Sequence, residues 1–247
     1  MIAHQTKLSV NVNKFALLRN ARNQNTPNLI DIVTRCIALG CHGITVHPRP
    51  DERHIRFDDL WMLDKLIKQH PHIEFNVEGY PSPTFIETMC RLTPHQVTLV
   101  PDPPDALTSS FGWDMIADGK LLKRWVNELK SAGIRCAIFI DPCCDSLPHL
   151  TDINPDRVEL YTYDYSHGYQ ADRAQAVSPY RQVADWIIAH TAIGMNAGHD
   201  LNLDNLGYLL NVIPEIKEVS IGHQLVCDCL NFGLDSTIKR YLSQLTR

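Results

Sequence analysis

Eight short apolar runs, each breaking into polar residues and followed by a segment with helical spacing, recur along the chain. That alternation leaves few architectures, because parallel strands need long crossover connections and bury both of their faces. Strands are expected at residues 8–13, 43–46, 73–79, 96–101, 135–141, 157–162, 192–198 and 218–223. In the first, Leu8, Val10 and Val12 alternate with Ser9, Asn11 and Asn13, which suits a strand with an outer face against helices and an inner face able to carry polar groups. Helices are expected at about 26–39, 58–69, 83–92, 117–132, a short one at 146–152, one through 190, one to about 211, and a last one after 223. Eight such units in 247 residues predict an α/β protein, a single-domain (β/α)₈ TIM barrel with additional short helices. A doubly wound sheet shares the alternation, but no GxGxxG or Walker-type loop follows any strand.

The composition excludes several classes. A charged fraction of 21% and a net charge of −5 lack the basic excess of a nucleic-acid binder. No apolar run nears the ~18 residues that cross a bilayer. The 8 cysteines include no CxxC pair, and Cys36, Cys90 and Cys136 lie in apolar periodic segments, so they are expected to be reduced structural residues. With no charged-then-apolar leader at the start, the expected compartment is the cytoplasm.

Chemistry concentrates where strands end. Pro48 and Pro50 stop the strand that closes at Val46, so His47, Arg49, Arg53 and His54 sit on a stiffened loop at its carboxyl end. In a barrel this is the catalytic face, and Asn11, His47, Glu74, Thr108, Glu159, His199 and His223 are expected to converge on it. Glu78 shares a strand face with Glu74, and spacing alone does not separate them. The loop after the fourth strand, residues 102–114, exceeds the usual two to six residues and is a candidate binding loop. The polar stretch 163–173, with Gly168, is a candidate lid. Arg22 and Arg49 offer forked donors for phosphate, and Gly198-His199 and Gly222-His223 place glycines where strands meet helices, with unpaired amides facing outward. The plainer reading of each is a solvated arginine, a structural histidine or a tight turn; their recurrence at corresponding strand ends favours an enzyme acting on a phosphorylated compound.

Taken together, Val10-Asn11, Leu18-Arg-Asn-Ala-Arg22, the block from Gly43 to Ile55, Val97-Thr-Leu-Val-Pro101, Arg157-Val-Glu-Leu-Tyr161, Asn196-Ala-Gly-His199 and Ser220-Ile-Gly-His223 resemble the pyridoxine 5′-phosphate synthase family over nearly the whole chain. The resemblance implies a transferase-class enzyme of vitamin B6 biosynthesis. It would join 1-deoxy-D-xylulose 5-phosphate to 3-amino-2-oxopropyl phosphate, giving pyridoxine 5′-phosphate, inorganic phosphate and water. It also implies a homo-octamer that works without metal or organic cofactor. Carried onto this chain, it makes His47 and Glu74 proton acceptors, His199 the proton donor, and Glu159 a stabiliser of developing charge. Asn11, Arg22, Asp200, Gly222 and His223 would hold the amino-oxo phosphate; Asn13, Lys14, Arg49, His54 and Thr108 would hold the sugar phosphate. Asn13-Lys14 stands where Asp-His is common in part of the family, and Asp200 where glycine is common. Two rivals remain on sequence grounds. One is a metal-dependent TIM-barrel isomerase or hydrolase of a phosphorylated small molecule, with Glu74, Glu159, His199 and His47 as ligands. The other is a non-catalytic phosphate-binding barrel.

Overall fold

Leu8 and Val10 are sealed from solvent while Ser9 between them faces Thr45 across the sheet interior, with their hydroxyl oxygens 2.7 Å apart. The same two-faced pattern repeats around a closed parallel barrel in a computed structural model that describes residues 5–22, 24–102, 106 and 108–245. Its strands are β1 (Lys7–Asn11), β2 (Gly43–Val46), β3 (Glu74–Gly79), β4 (Gln96–Leu99), β5 (Arg135–Ile140), β6 (Arg157–Tyr161), β7 (Gly194–Gly198) and β8 (Ile216–Ile221). Each pairs with the next, and β8 closes on β1 with Ser9 opposite Ser220. The expected barrel is the fold.

Helices wrap the outside: α1 (Asn13–Asn20), α2 (Leu29–Ala38), α3 (Phe57–Ile67), α4 (Pro83–Leu92), α5 (Gly119–Ser131), α6 (Leu150–Ile153), α7 (Tyr163–His190), α8 (Leu206–Val212), α9 (His223–Phe232) and α10 (Leu234–Leu245). Local chemistry sets their ends. Asn28 Oδ1 accepts from the Ile30 and Asp31 amides to start α2, and Ser82 Oγ accepts from the Phe85 amide to start α4. A short helix beyond those expected, α1, follows β1, and the single expected last helix is two, α9 and α10, parted at Gly233 with φ 72°.

The inside of the barrel is polar at mid-height, where Asn76 Oδ1 accepts from Thr98 Oγ1 at 3.0 Å and Gln96 Nε2 at 3.2 Å. Its amino end is charged: Glu74 pairs with Lys7 at 2.8 Å and with Arg135, and Arg157 Nη1 donates to Asn196 Oδ1 at 3.0 Å. The polar stretch 163–173 is helical rather than a loop. Tyr165 is buried beneath it and donates to the Asn205 carbonyl at 2.6 Å, while Tyr180 donates to the Tyr161 carbonyl at 2.8 Å, so the polar residues seen in sequence are the outer face of a helix. α7 breaks at Asp172, whose Oδ1 caps a second stretch by accepting from the Ala174 and Gln175 amides. In the long loop after β4, residues 103–105 and 107 lie outside the described residues.

Candidate active site

The carboxyl ends of the strands surround a cleft of about 360 Å³. At its β1–β2 side the chain ties itself together before any ligand arrives. Asn11 Oδ1 accepts from the Asn13 amide at 3.0 Å, and Asn13 Oδ1 accepts from the His47 amide at 2.9 Å. Asn13, Lys14, Arg49 and His54 line the cleft here, and Thr108 lines it from the loop after β4. Arg49 is buried and donates to Asp102 Oδ2 at 2.5 Å, and Ser109 Oγ donates to the same oxygen at 2.7 Å. His54 Nδ1 accepts from the Ile55 amide at 2.9 Å, so its proton resides on Nε2 as a donor. Burial, then the nearby His47 and Arg49, push the His54 pKa down to about 3, and the ring is neutral.

The adjoining wall, round from β1 to β8 and β7, is built from two chain corners. Gly222 caps α9, and its amide and His223 line the cleft with Asn11. A Cβ on Gly222 would lie 3.0 Å from Asn11, so the close approach needs glycine. Gly198 is more tightly constrained, since a Cβ there would sit 2.2 Å from Glu159 Oε1. The following His199 and Asp200 carry φ values of 91° and 55°, both left-handed. Helix starts and such corners present unpaired amides suited to phosphate oxygens.

Between the two sides stand His47, Glu78, Glu159 and His199. His47 Nδ1 is 3.6 Å from Glu78 Oε2. Burial, with Arg49 adding to it, lowers the His47 pKa to about 3, while burial and the Asp102 charge raise that of Glu78 to about 7. The contact joins a neutral imidazole to a carboxyl that titrates near neutrality. Burial, with the Glu78 charge adding to it, holds the Glu159 carboxyl well above the ordinary carboxylate range. His199 Nε2 lies 3.1 Å from Thr108 Oγ1, and Tyr161 packs its ring edge-on to the imidazole at 4.8 Å.

Of the fourteen expected site residues, twelve line the cleft, and two, Glu74 and Arg22, do not. Glu74 is corrected: β3 places it at the amino end of the barrel against Lys7 and Arg135, four residues below Glu78 on the same inward face, which at ~3.3 Å per residue is ~13 Å from the mouth. The carboxylate at the cleft is Glu78, at the carboxyl end of β3 just before Gly79. Arg22 is exposed on the turn after α1, away from the wall. Its neighbours Arg19 and Asn20 act instead as a clamp. Buried Arg19 forks onto Asp59 at 2.7 and 2.8 Å and donates to the His54 carbonyl at 3.2 Å, and Asn20 Nδ2 donates to that carbonyl at 2.8 Å. Ser109, Asp102 and Tyr163 were also not singled out by motif. Among the described residues no three His, Cys, Asp or Glu side chains are grouped to hold a metal ion.

Residues 8–247 match the model of the family described as pyridoxal phosphate biosynthesis protein PdxJ. The chain belongs to this family. Among PdxJ relatives, pyridoxine 5′-phosphate synthase from Bacteroides fragilis is 48% identical over 236 residues, covering 96% of this chain and 98% of that protein. The enzyme of the same name from Porphyromonas gingivalis is 48% identical over 241 residues, 97% and 99% of the two chains. Outside PdxJ, similar solved structures share the barrel alone. A tryptophan synthase from Mycobacterium tuberculosis has a TM-score of 0.67 at 12% identity, covering 98% of this chain and 94% of that one. A 3-keto-L-gulonate-6-phosphate decarboxylase from Vibrio cholerae has a TM-score of 0.63 at 8% identity, covering 98% and 100%.

Proposed function

We infer that the chain is a pyridoxine 5′-phosphate synthase, a transferase-class enzyme of vitamin B6 biosynthesis. Its substrates are 1-deoxy-D-xylulose 5-phosphate and 3-amino-2-oxopropyl phosphate, and its products are pyridoxine 5′-phosphate, inorganic phosphate and water. Near-complete coverage of PdxJ relatives at 48% identity carries this reading. The cleft supports it, with two anion-binding sides flanking two imidazoles and two carboxyls.

Joining an amine to a ketone, expelling water and phosphate, and closing an aromatic ring demand proton transfers in both directions. His47, neutral in the empty cleft, takes a proton once a phosphate dianion beside Arg49 raises its affinity. Glu78, poised near neutrality, is the second acceptor, in place of Glu74. His199 donates. Glu159, whose burial beside Glu78 favours its protonated form, donates a hydrogen bond to oxygen as negative charge gathers on it. The sugar phosphate lies against Asn13, Lys14, Arg49, His54 and Thr108; the amino-oxo phosphate lies against Asn11, Gly222, His223 and the Asp200 corner. The chain is taken as one domain that works in the cytoplasm as a homo-octamer; no helix among the described residues is long and apolar enough to cross a membrane.

The residue assignments are tested by a pair of isosteric variants. Glu78→Gln is expected to lower turnover by ~10²–10⁴-fold with circular dichroism unchanged, whereas Glu74→Gln keeps turnover within about threefold. The reverse ranking would return the role to Glu74.

A further inference from the structure

The corner at 198–200 is harder to build than a phosphate turn alone requires. His199 and Asp200 hold φ values of 91° and 55°, which residues bearing a Cβ adopt against steric resistance. The surroundings enforce it. Thr162 Oγ1 donates to the Gly198 carbonyl at 2.8 Å and to the His199 carbonyl at 2.5 Å, and Asn205 Nδ2 donates to the Asp200 carbonyl at 3.3 Å.

This backbone turns the Asp200 carboxylate back onto the preceding imidazole, with Oδ2 3.3 Å from His199 Nδ1. Nδ1 is sealed from solvent and has no aligned hydrogen-bond partner among the described residues, while Nε2 faces Thr108 at the cleft. Such contacts tighten when substrate binds. The imidazole lies within the fields of Asp200 and Glu78, with the rings of Tyr161 and Tyr163 packed against it, and His167 and His223 near the Asp200 carboxylate. Asp200, in turn, is held below the usual carboxylate range chiefly by its contact with His199, so it stays charged.

We propose that Asp200 is a positioning residue for His199: its carboxylate keeps a proton on Nδ1, so that Nε2 is the nitrogen that exchanges a proton with substrate. When the ring is doubly protonated, Asp200 balances the Nδ1 charge. Nε2 then releases its proton to the substrate oxygen, and the ring is left neutral as the Nδ1–H tautomer. A carboxylate facing the cleft opposes an incoming phosphate, so the side chain does not bind substrate; the backbone corner does. The identity of the proton acceptor rests on the synthase reading, but the tautomer does not.

The test is solid-state ¹⁵N NMR of the histidine-labelled, unliganded chain, with His199→Gln assigning the signal, beside steady-state kinetics of Asp200→Asn and Asp200→Gly. The expected result is an Nδ1–H tautomer in the parent that shifts toward Nε2–H in both variants. With it, kcat falls by ~10- to 10⁴-fold, its pH profile moves, and KM for both substrates stays within about twofold. Glycine relaxes the backbone yet still lacks the acceptor, so it separates strain from tautomer. Unchanged ¹⁵N shifts in both variants would overturn the proposal, as would a raised KM for the amino-oxo phosphate with kcat intact. A parent chain that shows the Nδ1–H tautomer but no synthase turnover would sink the activity reading and leave the positioning intact.

Discussion

At the scale of single residues, Glu78 links stability to activity. Its pKa of about 7 in the folded chain lies above the ordinary 4.5, because burial and the Asp102 charge disfavour the carboxylate. Between those values the unfolded chain sheds a proton that the folded chain keeps, so stability is full below pH 4.5 and declines as pH rises toward 7. Gln cannot ionise. Thermal melts of Glu78→Gln are therefore expected to match the parent at pH 4.5 and exceed it at pH 8, by on the order of 1–3 kcal/mol, and equal melts at pH 8 would remove the strain from this carboxyl. The carboxylate itself was half legible. Period-two alternation in β3 places Glu74, Asn76 and Glu78 on one face, but height along the barrel axis decides which meets substrate. That height depends on where β3 starts against Gly43 of β2, a pairing between distant segments that no local pattern carries. His47, by contrast, announced itself, because the prolines fix where its strand stops.

At the scale of elements, the cleft loop 49–54 is held by helices rather than by its own prolines alone. α1 supplies Arg19 and Asn20, which both donate to the His54 carbonyl, and α3 supplies Asp59, which holds Arg19 in place. Removing one partner of a buried ion pair leaves the other unpaired, a loss of ~3–5 kcal/mol. Asp59→Asn is expected to lower the melting temperature and raise KM for the sugar phosphate several-fold with a smaller change in kcat; an unchanged KM would mean the loop is rigid without the clamp. The motif was visible in sequence, but of its residues only Arg22 was read as a phosphate ligand, and Arg19 and Asn20 were given no role. A buried arginine and an exposed one three positions apart look alike until the partner helix is in place. The stretch 163–173 failed for a similar reason, since Tyr165 is buried through distant contacts with Tyr180 and Asn205.

At the scale of the whole molecule, the barrel was legible because eight strand–helix repeats admit little else, whereas assembly leaves a fainter mark. Leu17 and Leu18 on α1 and Leu230 and Phe232 on the adjoining α9 are exposed apolar residues, with Leu230 at 82%. Such a patch is suited to a subunit contact. Analytical ultracentrifugation is expected to find an octamer that Leu18→Glu with Leu230→Glu breaks into smaller species; an intact octamer in the double variant would place the contact elsewhere. The central claim concerns chemistry, and one assay addresses it most directly. Chelator-treated protein is mixed with 1-deoxy-D-xylulose 5-phosphate and 3-amino-2-oxopropyl phosphate generated in place, and pyridoxine 5′-phosphate and inorganic phosphate are followed together. The expected result is that both appear in equal amounts. Binding of both substrates without product, or product that forms only when a divalent ion is restored, would contradict it.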